Sequence, residues 1–314
     1  MQLNISVERA IKYLEYDNAL GASELARQAL EIISSWLKDA KNIELQEAKN
    51  EFQELIQRLS CLHPSMYGIT SRVQHLAKAV LSSTDTIKNP DEFSNLALNQ
   101  IEKMLDDENT IKEELVSHSR TLFDKPKQIM TISHSSTISL ILMANREMVS
   151  KVYVCEARPA FEGRRLAELL ADSGISTQII SEAGIAFYMN DVDFVCSGAD
   201  GIFQDGTFIN KIGTAVLAII ANQFNKPFYP FTDHYKIFPR NVSLDAVEME
   251  KKPAEELYKL EKRNLLVENY YFEHIPARYI NEYLTNKGRL SKTKIHQLSE
   301  NLDDLPPPCG SSNL

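Results

Sequence analysis

The sequence predicts an α/β chain, with an N-terminal helical domain over residues 1–120 followed by a parallel-sheet domain over 121–314. Three observations predict it. Up to about residue 120, apolar residues recur at three- and four-residue spacings and no strand-like run interrupts them. From Asp124-Lys125-Pro126 onward, short β-rich runs alternate with helical stretches, the rhythm of a parallel sheet with helices on its faces. Finally, residues 193–214 break from an apolar strand into turns rich in glycine and aspartate, as loops do at the carboxyl edge of such a sheet.

In the helical half, Leu25, Ala29, Ile32, Ile33 and Trp36 form a one-sided stripe that predicts a helix over Ala22–Leu37. Ile43–Leu59, Ser71–Leu81 and Phe93–Leu115 repeat the pattern with charged opposite faces. Pro64 and Gly68 break one connection, and Asn89-Pro90-Asp91 marks a turn and a helix start. In the second half, strands are expected at Ile129–Ile132, Lys151–Cys155, Ser176–Ile180, Phe194–Cys196 and Pro227–Pro230. Helices are expected between them, at Thr137–Glu147, Phe161–Asp172, Ala183–Tyr188 and Ile212–Gln223. The charged stretch Glu248–Arg263 reads as a solvated helix with Pro253 near its start. Tyr270–Phe272 and Pro276–Leu284 read as a last strand and helix, and Pro306-Pro307-Pro308 as the start of an irregular tail.

With 43% hydrophobic and 25% charged residues, the 314-residue chain has the composition of an ordinary globular protein. A net charge of −9 argues against a nucleic-acid surface. No apolar run approaches the roughly 20 residues that span a bilayer, and no secretory leader is visible, so a cytoplasmic protein is expected. Cys61, Cys155, Cys196 and Cys309 lie far apart without metal-ligand spacing; Cys155 and Cys196 fall inside apolar strands and read as buried free thiols. Neither a metal nor a cofactor is expected.

The chemistry concentrates in residues 193–214. Phe194-Val195-Cys196 is a strand, Ser197-Gly198-Ala199 breaks it, Asp200 is presented on a turn, and Asn210-Lys211 opens the next apolar helix. An acid, an amide and an ammonium at strand ends and a helix start suit a polar, phosphorylated small molecule. The same residues also fit a turn shaped by Asp200 and a solvated Lys211.

The chain resembles the superfamily joining the alpha, beta and delta regulatory subunits of translation initiation factor 2B to ribose-1,5-bisphosphate isomerase and methylthioribose-1-phosphate isomerase. The resemblance rests on Glu156-Ala157-Arg158-Pro159 with Glu162-Gly163-Arg164-Arg165-Leu166, on Ser197-Gly198-Ala199-Asp200-Gly201-Ile202, and on Asn210-Lys211-Ile212-Gly213-Thr214. Weaker echoes stand at Phe272–Pro276 and Thr285–Gly288. It implies a Rossmann-like second domain, a ligand cleft, and a homodimer built through that domain, with other initiation factor subunits as further partners.

The isomerases pair a cysteine, on the loop after the first sheet strand, with the aspartate matched by Asp200. Here the cysteine position is Ser133, in Thr131–Ser136, and an alkanol is far less acidic than a thiol. Ser133 would need a base, and adjacent His134 points to the opposite side of an extended backbone unless the loop bends the two together. Alternatively, Ser133, Ser135 and Ser136 supply donors to a phosphate or sugar oxygen, or cap the following helix. The Arg-Gly-Ala by which the isomerases hold a phosphate is matched by Gly21-Ala22 after Leu20, without its arginine, and His63 replaces a second arginine. What remains is Glu156, Arg158, Asn210 and Lys211 as ligand-binding candidates, with Lys236 closing the same edge. Arg158 could instead pair with Glu156 or Glu162. Asp200 and Ser133 are the catalytic candidates should the chain be an aldose–ketose isomerase. The departures favour a non-catalytic regulatory-subunit-like protein that binds a sugar phosphate or nucleotide.

Overall fold

The computed structural model describes residues 5–16, 20–83, 87–259 and 262–304. The chain forms two compact units: residues up to Thr110 with Asp245–Val247, and Ile111–Leu244 with Glu248–Asp304. The tail containing Pro306–Pro308, together with Cys309, lies outside the described residues.

The first unit is helical. It contains α1 (Ile5–Tyr16), α2 (Ala22–Ala40), α3 (Leu45–Ser60), α4 (Tyr67–Leu81) and the first part of α5 (Pro90–Ser119). The α2 stripe is buried as its spacing requires, with Leu25, Ala29, Ile33 and Leu37 inaccessible. Trp36 stacks on Phe52 and Phe52 meets Phe93 edge-on, at centroid distances of 6.1 and 5.5 Å. The start of α5 is locally encoded. The Asn89 side chain accepts the Glu92 N–H (2.9 Å), Glu92 accepts the Lys88 N–H (2.9 Å), and Pro90 takes the first helical position.

The second unit is built on a seven-stranded sheet of order β10-β9-β7-β4-β1-β2-β3. Its strands are β1 (Lys127–Ile132), β2 (Val149–Cys155), β3 (Thr177–Ile180), β4 (Phe194–Gly198), β7 (Phe228–Phe231), β9 (Tyr283–Thr285) and β10 (Gly288–Leu290). All neighbours are parallel except β9 and β10. Alternate residues feed two cores. Met130, Ile132, Tyr153, Cys155 and Val195 pack on one face with α9 (Thr214–Gln223). Ile129, Val152, Val154, Phe194 and Cys196 pack on the other with α6 (Ser136–Ala144) and α7 (Glu162–Asp172). Cys155 and Cys196 are free and buried, and burial pushes both thiols well above their ordinary range, so neither is a nucleophile.

Three expectations are corrected. Asn210-Lys211 does not open a helix: it ends β6 (Phe208–Lys211), which pairs antiparallel with β5 (Gly201–Ile202) and β8 (Phe272–Ile275) in a separate small sheet. Gly213, at φ 96°, makes the break, and the helix begins only at Thr214. Glu248–Arg263 is not a helix among its described residues. It holds one 3-10 turn, Ala254–Glu256, because it lacks an apolar stripe and Pro253 removes a donor. Pro276–Leu284 gives a 3-10 turn at Ala277–Tyr279 and then β9, and α10 (Lys292–Asn301) follows β10.

Candidate functional site

The chain reverses its direction of sheet growth at β1. From β1 the sheet extends through β2 to β3 on one side and through β4 to β7 on the other. The loops leaving β1 and β4 therefore diverge, and the crevice between their carboxyl ends is where open α/β sheets take ligands. Ser133 follows β1 in the left-handed region (φ 65°), buried, its N–H donating to the Cys155 carbonyl at 3.4 Å. Ala157 and Phe161, after β2, are also left-handed, each at φ 61°. Such non-glycine conformations cost about 1–3 kcal/mol each and gather at functional sites.

Ser135, Gly198 and Asn210 come together. A Cβ built on Gly198 would lie 3.0 Å from Ser135 Oγ and 3.6 Å from Asn210 Oδ1. The Asn210 amide is oriented from behind, its Nδ2 donating to Thr214 Oγ1 (3.0 Å), which donates in turn to the Lys211 carbonyl (2.6 Å). Ser135 also accepts the Ile138 N–H at 3.4 Å, capping α6, whose first residue is the exposed Ser136. Burial raises the Asp200 carboxyl above its ordinary value, and the ammonium groups of Lys236 and then Lys211 oppose that rise. Lys236 Nζ lies 3.9 Å from Asp200 Oδ1. Lys211 Nζ lies 2.5 Å from Glu162 Oε1, so Lys211 is not the uncommitted ammonium that the sequence suggested.

Glu156 pairs with Arg164 at 2.7 Å. Neither carboxylate that could have held Arg158 does so, and its exposed guanidinium instead sits 4.9 Å from the Phe161 ring centroid. Of Arg158, Arg164, Lys211 and Lys236, Arg158 alone has no carboxylate partner among the described residues. The N-terminus of α9 is filled from within. Glu273 on β8 accepts the Ala215 N–H at 2.9 Å and faces those of Gly213 and Thr214, while burial raises its carboxyl. Burial, then Arg165, lowers His134, which keeps the imidazole neutral at pH 7; Glu162 pulls the other way. Among the described residues no base hydrogen-bonds the Ser133 hydroxyl. No group of His, Cys, Asp and Glu among the described residues could hold a metal ion.

The remaining candidates belong to the helical unit. Gly21 precedes α2 and accepts the N–H groups of Glu24 and Leu25 through its carbonyl, and the Ala22 side chain is buried. His63 is buried, and its Nε2 is 2.9 Å from the Leu14 carbonyl, so that imidazole is spent within its own unit.

The model of the initiation factor 2 subunit family matches residues 18–292. The chain belongs to that family. Among its relatives is a ribose 1,5-bisphosphate isomerase of Methanocaldococcus jannaschii, 26% identical across 85% of this chain and 86% of that protein. Another is a putative translation initiation factor eIF-2B subunit 2-like protein of Pyrococcus horikoshii, 27% identical across 88% of this chain and 94% of that one. A crystal structure of the Pyrococcus horikoshii translation initiation factor eIF-2B superposes with a TM-score of 0.76 at 26% identity, covering 92% of this chain and 98% of its own. This family member thus stands at near-equal identity to an isomerase and to an initiation-factor-like protein.

Three residues of the site escaped the sequence reading. Gly163 was visible only as part of a motif and Glu162 only as that and as an alternative partner for Arg158, and nothing in the spacing linked Glu162 to Lys211. A Cβ on Gly163 would fall 2.0 Å from the Cys155 carbonyl oxygen, so only glycine lets α7 start so close to β2. Glu273 sits 58 residues from the helix terminus it serves, too far for a local capping signal.

Proposed function

We propose that this family member is a regulatory-subunit-like protein that binds a phosphorylated small molecule, a sugar phosphate or a nucleotide, without isomerising it. One observation carries the reading: at the end of β1, where the related isomerases use a thiol for proton transfer, stands a hydroxyl with no hydrogen-bonded base among the described residues. Asp200 would have to shuttle a proton alone. The ligand's phosphate is assigned to Arg158, and its hydroxyls to Ser133, Ser135 and Asn210, beside the bare Cα of Gly198. By resemblance, Gly21 and Ala22 are further ligand-binding candidates. The protein acts as a homodimer in the cytoplasm, with other initiation factor subunits as candidate partners.

A second reading, an aldose–ketose isomerase using Asp200, is favoured by that half-buried acid with its raised carboxyl beside Lys236. Titration of the full chain with a nucleoside monophosphate or ribose 5-phosphate tests the binding assignment. Arg158→Ala should weaken binding by about 1.5–3 kcal/mol, as expected for a charge-assisted hydrogen bond. Unchanged affinity would remove Arg158 from the site.

A further inference from the structure

The cations at the carboxyl edge of the sheet are unequally committed. Arg164 has Glu156, Lys236 has Asp200, and Lys211 is held by Glu162 Oε1 at 2.5 Å. The pair formed by Lys211 and Glu162 is largely buried, with side-chain exposures of 10% and 16%. It is also incompletely satisfied: Glu162 Oε2 is buried with no hydrogen-bond partner among the described residues. A buried ion pair kept only for stability is expected to satisfy its remaining lone pairs, because an unmet buried oxygen loses its hydration without return. The first turn of α7 favours an acid at Glu162, yet its second oxygen remains unmet. Its effect on the site is to cancel the ammonium of Lys211. The α9 terminus, the other place where an anion could settle, already holds Glu273.

We infer that Glu162 is a specificity-determining residue: by neutralising Lys211 it leaves Arg158, of these four cations, as the one without a carboxylate partner among the described residues, so the site takes a ligand with one phosphate and rejects one with two. The inference rests on the anion-pocket reading above and names its substrate class. A second phosphate placed near Lys211 meets the Glu162 carboxylate and would have to displace it, whereas a neutral sugar hydroxyl meets no such repulsion.

The test titrates the full chain, as wild type and as Glu162→Gln, with ribose 5-phosphate and ribose 1,5-bisphosphate by calorimetry at constant low salt. Wild type should bind the monophosphate about tenfold or more tightly than the bisphosphate. Glu162→Gln should raise bisphosphate affinity by about tenfold and leave the monophosphate within about twofold. Adding Lys211→Met to that variant should abolish the gain, which separates a freed ammonium from general loosening. Wild-type protein that binds the bisphosphate as tightly as the monophosphate overturns the inference, and this comparison holds even if neither variant folds. Monophosphate binding with no bisphosphate gain in Glu162→Gln overturns the role of Glu162 alone. Binding of neither ligand by wild type at millimolar concentration overturns the anion-pocket reading, and the inference with it.

Discussion

Asp200 combines two opposed influences in one carboxyl group. Removal from water favours its protonated form, while Lys236 at 3.9 Å and the field of Lys211 favour its charged form; the first is the larger. The folded protein therefore holds this proton more tightly than the unfolded chain. The stabilisation that follows is complete below the unfolded value, about pH 3.9, and is lost as pH rises through the raised folded value. Asp200→Asn removes the titration, so in urea unfolding from pH 4 to pH 7 the variant should gain stability relative to wild type as pH rises. A difference that stays constant, or runs the other way, would contradict this account. Asp200 and Arg158 were legible in the sequence because acids and arginines just after apolar strands have few places to go in an open sheet. Their partners were not. Residue order gives no means of knowing that Glu156 would go to Arg164 and Glu162 to Lys211, since both acids also stood close to Arg158 along the chain.

At the scale of elements, the junction of β2 with α7 fixes the site. Gly163 donates its N–H to the Glu156 carbonyl at 3.1 Å, and its bare Cα lets the first turn of α7 rest on the end of β2. Gly163→Ala would drive a methyl into backbone, which cannot yield as a side chain can. The variant should lose about 3 kcal/mol or more in chemical denaturation, where a loss under about 1 kcal/mol would show that the junction relaxes freely. The strands β1, β2, β3, β4 and β7 were readable because each is a short apolar run closed by turn residues. The β5–β6 hairpin was not, since Phe208, Ile209 and Ile212 run into the apolar residues of α9 and only Gly213 separates the two periods. The β9 strand imitates a helix for another reason. Tyr283 and Leu284 are both buried, one in each core of a two-sided sheet, so alternation vanishes and the spacing from Tyr279 and Ile280 reads as helical.

For the whole molecule, exposed apolar side chains point to assembly. Phe187 on α8 (Ile185–Tyr188) is 81% exposed, and Val216 and Ile219 on neighbouring α9 are 46% and 47% exposed. With the homodimer implied by resemblance, sedimentation at micromolar concentration should report about twice the chain mass of 35.6 kDa, and Ile219→Asp should return the monomer. A wild-type monomer would mean that these residues serve a different partner. The central claim, binding without isomerisation, meets its most direct test in proton exchange. Methylthioribose 1-phosphate is incubated in labelled water with wild type, Ser133→Cys and Asp200→Asn, and incorporation at the sugar carbons is followed. A positioned acid–base group contributes about 10²–10⁴-fold, so wild type should show binding with no exchange above background, and Ser133→Cys at most partial exchange. Robust exchange by wild type that Asp200→Asn abolishes would contradict the claim and make this family member an isomerase that works without the thiol.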